Sequence, residues 1–237
     1  GLDLYKKRRI AELLRKISDI DGKFWIRLLY THPRFIDEDL LKIMKEKDKI
    51  CKYIDLPIQH INTRILKLMK RGVNKTDILK LIEKIRAFIP SAAIRTSVIV
   101  GFPTETESEF KELLNFLEIA RFERLGAFLY SPEENTRAGL FKNQVSQKIK
   151  EERFHLVMEL QQNISKENNK KFLNKAVDVM IDEKGKNNGL YIGRTYADAP
   201  EVDGEVYVTS KKSLRQGEFI KVFITCFMEY DMEGIAL

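Results

Sequence analysis

Four apolar runs in this sequence end in groups that could bind or react: Tyr30-Thr31-His32-Pro33, Asp55-Leu56-Pro57-Ile58-Gln59-His60, Gly101-Phe102-Pro103-Thr104-Glu105 and Tyr130-Ser131-Pro132-Glu133-Glu134. They offer imidazoles, phenols, an amide, carboxylates and one aromatic ring. In parallel sheets built from β/α units, ligands gather at the carboxyl ends of the strands, so four such endings point to one shared cavity. His32 and His60 either cap strand ends or face that cavity. Pro33, Pro57 and Pro103 end strands whatever else they do. Gly101 is either a plain turn glycine or a place where a flat ligand reaches the backbone. Arg95 lies inside an apolar run, where an unpaired charge is costly. It either pairs with an acid such as Asp55 or salt-bridges the carboxylate of a ligand.

Metal chemistry has a poor donor set. The only cysteines are Cys51 and Cys226, and there are three histidines. A structural zinc or an iron–sulfur cluster needs three or four ligands at short spacing. Two free, buried thiols in a reducing compartment are expected instead.

The elements that would position these groups are legible from periodicity. Strands are predicted at Phe24–Tyr30, Tyr53–Pro57, Ile94–Val100 and Leu125–Tyr130, and helices at Asp37–Asp48, Thr63–Lys70 and Thr76–Phe88. Thr106 and Glu109 form a capping box that opens another helix. Strand and helix alternate with short connections, which predicts a parallel β/α sheet of three to four units, too few to close a barrel. Its first strand should leave an exposed edge, prone to self-association unless covered. A long polar helix over Ser146–Lys171 follows, with Ile149, Leu156, Leu160 and Ile164 expected on its inner side. Trp25 is expected in the core. After the helix come short strands at Val177–Asp182, Leu190–Tyr196, Gly204–Val208 and Glu218–Cys226, separated by Gly, Asn and Asp turns. These predict a small OB-like barrel. The domains are therefore expected at 1–171 and 172–237.

Hydrophobic residues at 43% and charged residues at 32% fit a soluble globular chain. No run is apolar and long enough for a membrane span, and the amphipathic start, GLDLYKKRRIAELL, is unlike a signal peptide, so no membrane partner and a cytoplasmic setting are expected. The net charge of +7 is uneven. Residues 172–237 carry 8 Lys and Arg against 11 Asp and Glu, while the remainder is strongly basic.

The strings DLPIQH, ILKLMKRG, IRTSVIVGFPTETESEF and LGAFLYSPEENTRA, in this order, resemble the radical-SAM methylthiotransferase family from the fourth strand of its barrel onward. GLDLY resembles the segment after the family's third strand. YIGRTYADAPEVDGEVYV through EYDMEG resembles the TRAM domain of its RimO-type branch. The resemblance implies an α/β fold: a partial (β/α) parallel barrel followed by a small all-β, OB-like TRAM domain. Two positions depart from the family pattern. Thr104 stands where the family has the second glycine of GFPGETE, and Asn135 where it has the glycine of EEGT. The family's cluster-binding cysteines are also missing, so this chain is expected to be a piece of a longer protein that starts after both cluster sites and is inactive by itself.

For the intact enzyme the resemblance implies S-adenosylmethionine and two 4Fe-4S clusters. One cluster cleaves S-adenosylmethionine reductively to a 5′-deoxyadenosyl radical, which abstracts a substrate hydrogen, and the other supplies a methylated sulfur. Carried onto this chain, the resemblance implies a cofactor pocket made by Tyr30, His32, Asp55, Gln59, His60, Arg95, Gly101, Phe102, Pro103 and Tyr130. Tyr30 and His32 would lie near the nucleoside, Gln59 and His60 along the cavity, Arg95 at a carboxylate and the Gly101–Pro103 backbone at adenine. Within the family, QHIN, YSPEEN and the acidic TRAM-like segment resemble the branch that modifies an aspartate of small-subunit ribosomal protein S-twelve. The branch acting on isopentenyladenosine in transfer RNA is the alternative, and a non-catalytic module that contacts RNA or protein through the TRAM-like domain is a third reading. A basic substrate protein suits an acidic domain, whereas nucleic acid wants a basic face.

Overall fold

The computed structural model describes residues 2–237, and side chains from Leu4 onward. Two short N-terminal helices, α1 (Leu2–Tyr5) and α2 (Ile10–Ser18), precede strand β1 (Ile26–Leu28). The chain continues through α3 (Glu38–Glu46), β2 (Ile50–Asp55), α4 (Thr63–Leu68), α5 (Lys75–Phe88), β3 (Ala93–Val100), α6 (Glu107–Ala120) and β4 (Arg124–Leu129). The four strands form one parallel sheet in the order β1-β2-β3-β4. This is the partial barrel the alternation predicts, with β1 and β4 at its edges. Helix starts are set by local side chains. Asp37 and Asn62 accept from backbone N–H groups of α3 and α4, and complete capping boxes open α5 (Asn74 with Asp77) and α6 (Thr106 with Glu109).

Period-two alternation divides the sheet into two faces. Ile54, Ile94, Val98, Val100 and Ala127 pack with Leu41, Ile65, Ile85, Phe110 and Leu113 in or beside the helix-side core, all buried. The opposite face carries Tyr53, Asp55, Arg95, Ser97 and Ile99 on the concave inside of the half barrel.

Helix α7 (Gln147–Lys170) leads to a closed five-stranded barrel of β5 (Ala176–Lys184), β6 (Leu190–Arg194), β7 (Val206–Thr209), β8 (Phe219–Phe227) and β9 (Met232–Ala236), in the order β5-β6-β7-β9-β8. The closing strand β9, parallel to β7, is absent from the sequence expectation because EYDMEGIA shows no clean alternation. Two further expectations fail for physical reasons. The buried side of α7 is not Ile149 and Leu156, which are exposed, but Lys150, Arg153, Val157, Gln161, Ile164 and Asn169. Each polar one finds a partner: Lys150 Nζ donates to Tyr130 O (2.8 Å), Gln161 Nε2 to Phe122 O (3.0 Å) and Arg153 Nη1 to Glu105 Oε1 (3.1 Å), with only Arg153 Nε left without an acceptor. Hydrogen bonding replaces hydrophobicity there, and periodicity of apolar residues cannot see it. Cys51 is buried as expected, but Cys226 is exposed. Val222 and Ile224 point into the small barrel, and a register shift between Ile224 and Cys226 turns the thiol outward.

The two units share a core. Cys51, Tyr53 and Ala93, at the lower inside of the half barrel, pack in one cluster with Phe172, Val179, Ala197, Val206 and Ile224, and Trp25 packs half-buried on its edge, edge-on to Phe219. Polar contacts cross the same junction. The Arg124 guanidinium bonds Asp198 (Nε to Oδ1 2.9 Å), with both side chains buried. Tyr53 Oη donates to Asp203 Oδ2 (2.6 Å), and Arg27 Nη1 donates to Tyr196 O (2.7 Å).

Candidate functional site

The upper end of the half barrel is where the strand-end strings meet. β2 stops at Asp55, but the chain runs on beside β3. Leu56 N donates to Arg95 O (2.7 Å), Gln59 N to Ser97 O (2.9 Å), and Ile99 N to Gln59 O (2.8 Å). Gln59 therefore sits level with Val98 at the true tip of the second strand. Its φ is +70°, a left-handed conformation that a residue with a Cβ adopts only at a cost. Tyr30, Lys70, Thr104 and Asn135 share that conformation in the loops of the same end. Such outliers mark places where surrounding structure forces a backbone shape.

A cavity of about 400 Å³ opens here, floored by Ile99, Phe102 and Leu68 and rimmed by Gln59, Lys70, Arg71 and Arg137. Phe102 is held edge-on to Tyr130 (ring centroids 5.2 Å) and Phe141 (6.5 Å). The turn that carries it is clamped. Glu105 Oε2 accepts from Phe102 N (2.9 Å), Thr104 N donates to Asn143 O (2.8 Å), and Arg64 Nη2 donates to Thr104 O (2.8 Å). These N–H groups are taken by protein acceptors, so the turn meets the cavity with the Phe102 ring. Gly101 has φ +72°, and a Cβ there would collide with the Lys150 stem. Its lack of a side chain is thus explained by α7 and its own backbone, not by a ligand. Pro103 is buried. Burial pushes the Glu105 carboxyl up, against the pull of Arg153.

The other sequence-derived residues divide into three groups. Tyr30 is the most solvent-exposed of them, at 87%, and only its backbone is fixed, N–H to Asp55 Oδ2 (2.6 Å). Asp55 and Arg95 lie below the cavity on the concave face: Arg95 Nη1 meets Asp55 Oδ1 (3.2 Å) and Ser97 Oγ (3.3 Å), and Nε approaches Asp203 Oδ1 (3.3 Å). Of the two readings of Arg95, the structure contains the ion pair, doubled by a second carboxylate from the small barrel. His60 faces the core instead of the cavity, because the left-handed Gln59 reverses the alternation. It is fully buried, Nδ1 accepts from Asn62 N (2.9 Å), Nε2 has no partner, and burial pushes its pKa down to about 4. His32 caps the short 3-10 helix Pro33–Phe35, with Nδ1 accepting from Arg34 N (3.2 Å). Its pKa is lowered by burial and by the charges of Arg71 and Arg34, which places it at the cationic rim.

Sequence reasoning missed that rim. Its signal was present in MKRG after α4 and TRAG after β4, but cations near helix ends and in loops are common enough to pass as solvated charge.

Comparison with known proteins matches residues 2–117 to the model of the radical SAM superfamily and residues 175–237 to that of the TRAM domain. "Ribosomal protein uS12 methylthiotransferase RimO" of Clostridioides difficile (strain 630) is 48% identical over all 237 residues. The chain belongs to the radical SAM superfamily, in its RimO-type branch. The protein of the same name from Clostridium novyi (strain NT) is 47% identical over 99% of this chain. The chain spans about half the length of these relatives, 53% and 52% respectively. Among solved structures, the radical SAM enzyme coproporphyrinogen III oxidase (HemN) from Escherichia coli superposes with a TM-score of 0.50 at 20% identity, over 66% of this chain and 36% of that one, which speaks to the fold. The radical SAM sheet and the small β-barrel are therefore those of the superfamily and of the TRAM domain.

Superfamily membership implies S-adenosylmethionine and 4Fe-4S chemistry, and the residues fit these groups unequally. Among the described residues no three His, Cys, Asp or Glu side chains gather to hold a metal. Burial raises the Cys51 thiol pKa, the opposite of what a thiolate ligand needs. The cluster does not fit residues 1–237. S-adenosylmethionine does fit the tip cavity, where an aromatic and aliphatic floor suits a nucleoside. Among the described residues no helix is long and apolar enough to cross a membrane.

Proposed function

We propose that these 237 residues form the S-adenosylmethionine- and substrate-facing half of an enzyme that adds a methylthio group to the β-carbon of an aspartate in ribosomal protein uS12. The observation that carries this reading is the coincidence of 48% identity along the whole chain with a clamped cavity at the strand tips. When bound in the whole enzyme, S-adenosylmethionine and two 4Fe-4S clusters supply the radical and the sulfur. The residues here orient and shield. Ile99 and Phe102 offer an apolar seat for the nucleoside, with Tyr130 buttressing Phe102 from the side. The Gln59 amide reaches the cavity from the second strand. Tyr30 and His32 stand at the first strand's end, where the nucleoside would be closed over. Asp55 and Arg95 act as supports: the carboxylate fixes the Tyr30 backbone, and the guanidinium ties both to Asp203 of the small barrel. We take 1–171 and 172–237 as the two working units, acting in the cytoplasm, and residues 1–237 alone as inactive because their donor set does not fit a cluster.

The acidic balance of residues 172–237 favours a basic protein substrate over nucleic acid, although the TRAM domain also offers an RNA surface. The test is direct titration of the chain with S-adenosylmethionine, uS12 and transfer RNA. Shifts of the Gln59, Ile99 and Phe102 amide signals with S-adenosylmethionine, and binding of uS12 that exceeds binding of transfer RNA at physiological salt, are expected. Tight, steeply salt-dependent transfer-RNA binding without affinity for uS12 would transfer the assignment to the transfer-RNA-modifying branch.

A further inference from the structure

The rim of the tip cavity carries more positive charge than its own fold uses. Arg34, Lys70, Arg71 and Arg137 belong to no ion pair among the described residues. Three of them, Lys70, Arg71 and Arg137, line the cavity directly. A single arm of Arg71 is anchored, Nη2 donating to Pro57 O (2.6 Å), and its Nε is buried without an acceptor. Lys70 before it and Gly72 after it are both left-handed (φ +54° and +67°), so the backbone is bent to present this pair. A cation near the C-terminus of a helix is ordinary. That explanation covers Lys70 above the six-residue α4, but neither the orphan Nε nor Arg137, which arrives from the loop after β4.

We infer that Arg71, with Lys70 and Arg137, is a carboxylate-binding subsite that grips the side chain of the substrate aspartate. The inference rests on the methylthiotransferase reading above. A guanidinium anchored by one arm presents its remaining donors in a fixed plane, the geometry that selects a carboxylate over an amide. Gripping the carboxylate also fixes the carbon one bond away, which is the carbon to be modified, at the rim beside the nucleoside that Ile99 and Phe102 would seat.

Because S-adenosylmethionine also carries a carboxylate, the test separates the two sources. The probes are N-acetyl-aspartate methylamide, its asparagine counterpart and S-adenosylmethionine, each titrated by NMR into the 237-residue chain and into Arg71→Gln, Arg71→Lys and Arg137→Gln variants. The aspartate probe is expected to bind on the order of tenfold tighter than the asparagine probe. Arg71→Gln should remove that preference and Arg71→Lys should restore only part of it. Loss of S-adenosylmethionine binding in Arg71→Gln, with both amino-acid probes unaffected, would support a carboxylate subsite but assign it to the co-substrate, overturning the aspartate assignment. Equal binding of both amino-acid probes, with no response of any probe to the substitutions, overturns the subsite altogether. Arg137→Gln lies on an exposed loop and keeps the test valid should Arg71→Gln fail to fold. An Arg71-dependent aspartate preference in a chain that ignores uS12 would support the subsite and sink the substrate reading, so the two failures are distinguishable.

Discussion

Thr104 and Asn135 occupy positions where a glycine would sit at no steric cost, and both are left-handed, φ +68° and +63°. The two residues pay differently. A β-branched side chain in that conformation costs about 1–2 kcal/mol, whereas Asn tolerates it. Glycine brings back up to about 1 kcal/mol of unfolded-chain entropy as a penalty. The Thr104 hydroxyl accepts from Arg64 Nη1 (2.9 Å) on an exposed surface, a small compensation. Thr104→Gly should therefore stabilise the chain, by about 0.5 kcal/mol, while Asn135→Gly should be neutral or slightly destabilising. Opposite signs in urea denaturation check the argument, and equal effects would refute it. The sequence showed both departures as swaps for glycine, but the turn geometry that gives them opposite consequences is visible only once φ is known.

At the scale of elements, His60 illustrates how a correctly located string can conceal its roles. DLPIQH was legible as a strand ending, but which of Gln59 and His60 faces the cavity depends on one left-handed residue. The same holds for α7, whose length and cap at Ser146 were legible while its buried polar face was not. Burying His60 has a measurable consequence. Its pKa falls from an ordinary 6.5 to about 4, so the folded chain binds its proton less readily than the unfolded chain does. Stability contributed by neutral His60 is full above pH 6.5 and is lost as pH falls toward 4, about 3 kcal/mol in all. The groups facing it are Glu109, Glu112, Arg153 and Arg64. Glu109 is held down to about 2 and Glu112 is lowered, so the stability they add is kept above the ordinary carboxylate range and is lost only as pH falls into and below it, at the acid end of this window. His32, also depressed, shares the window, but it is only partly buried. His60→Asn keeps an acceptor for Asn62 N and removes the proton site. Urea midpoints measured from pH 7 to 4.5 should fall steeply in the parent chain and much less in the variant. Parallel slopes would mean the buried imidazole is not the titrating group.

At the scale of the whole molecule, the small barrel is fused to the half barrel, not tethered to it. Alternating elements followed by short strands made two domains legible in the sequence, but nothing in either pattern announced that Arg124, at the start of β4, would find Asp198 seventy-four residues later. Long-range charge pairs leave no periodic trace. Every arm of this contact is used: Arg124 Nη1 also donates to Glu123 O (2.8 Å) and Asn169 Oδ1 (3.2 Å), and Asp198 Oδ2 accepts from Thr195 Oγ1 (2.6 Å). Removing one partner of such a buried pair strands the other charge, at a cost of about 3–5 kcal/mol, whereas removing both costs far less. Arg124→Met and Asp198→Asn should each destabilise strongly, and the double variant by much less than their sum. The shared core of Tyr53, Ala93, Val179 and Ile224 makes a further demand on the same experiment. The parent chain should unfold in one transition whether followed by helix signal or by the Trp25 fluorescence at the junction. The single variants should split those two probes if the pair couples the domains, and additive energies with coincident transitions would show instead that the apolar core alone holds the two barrels together.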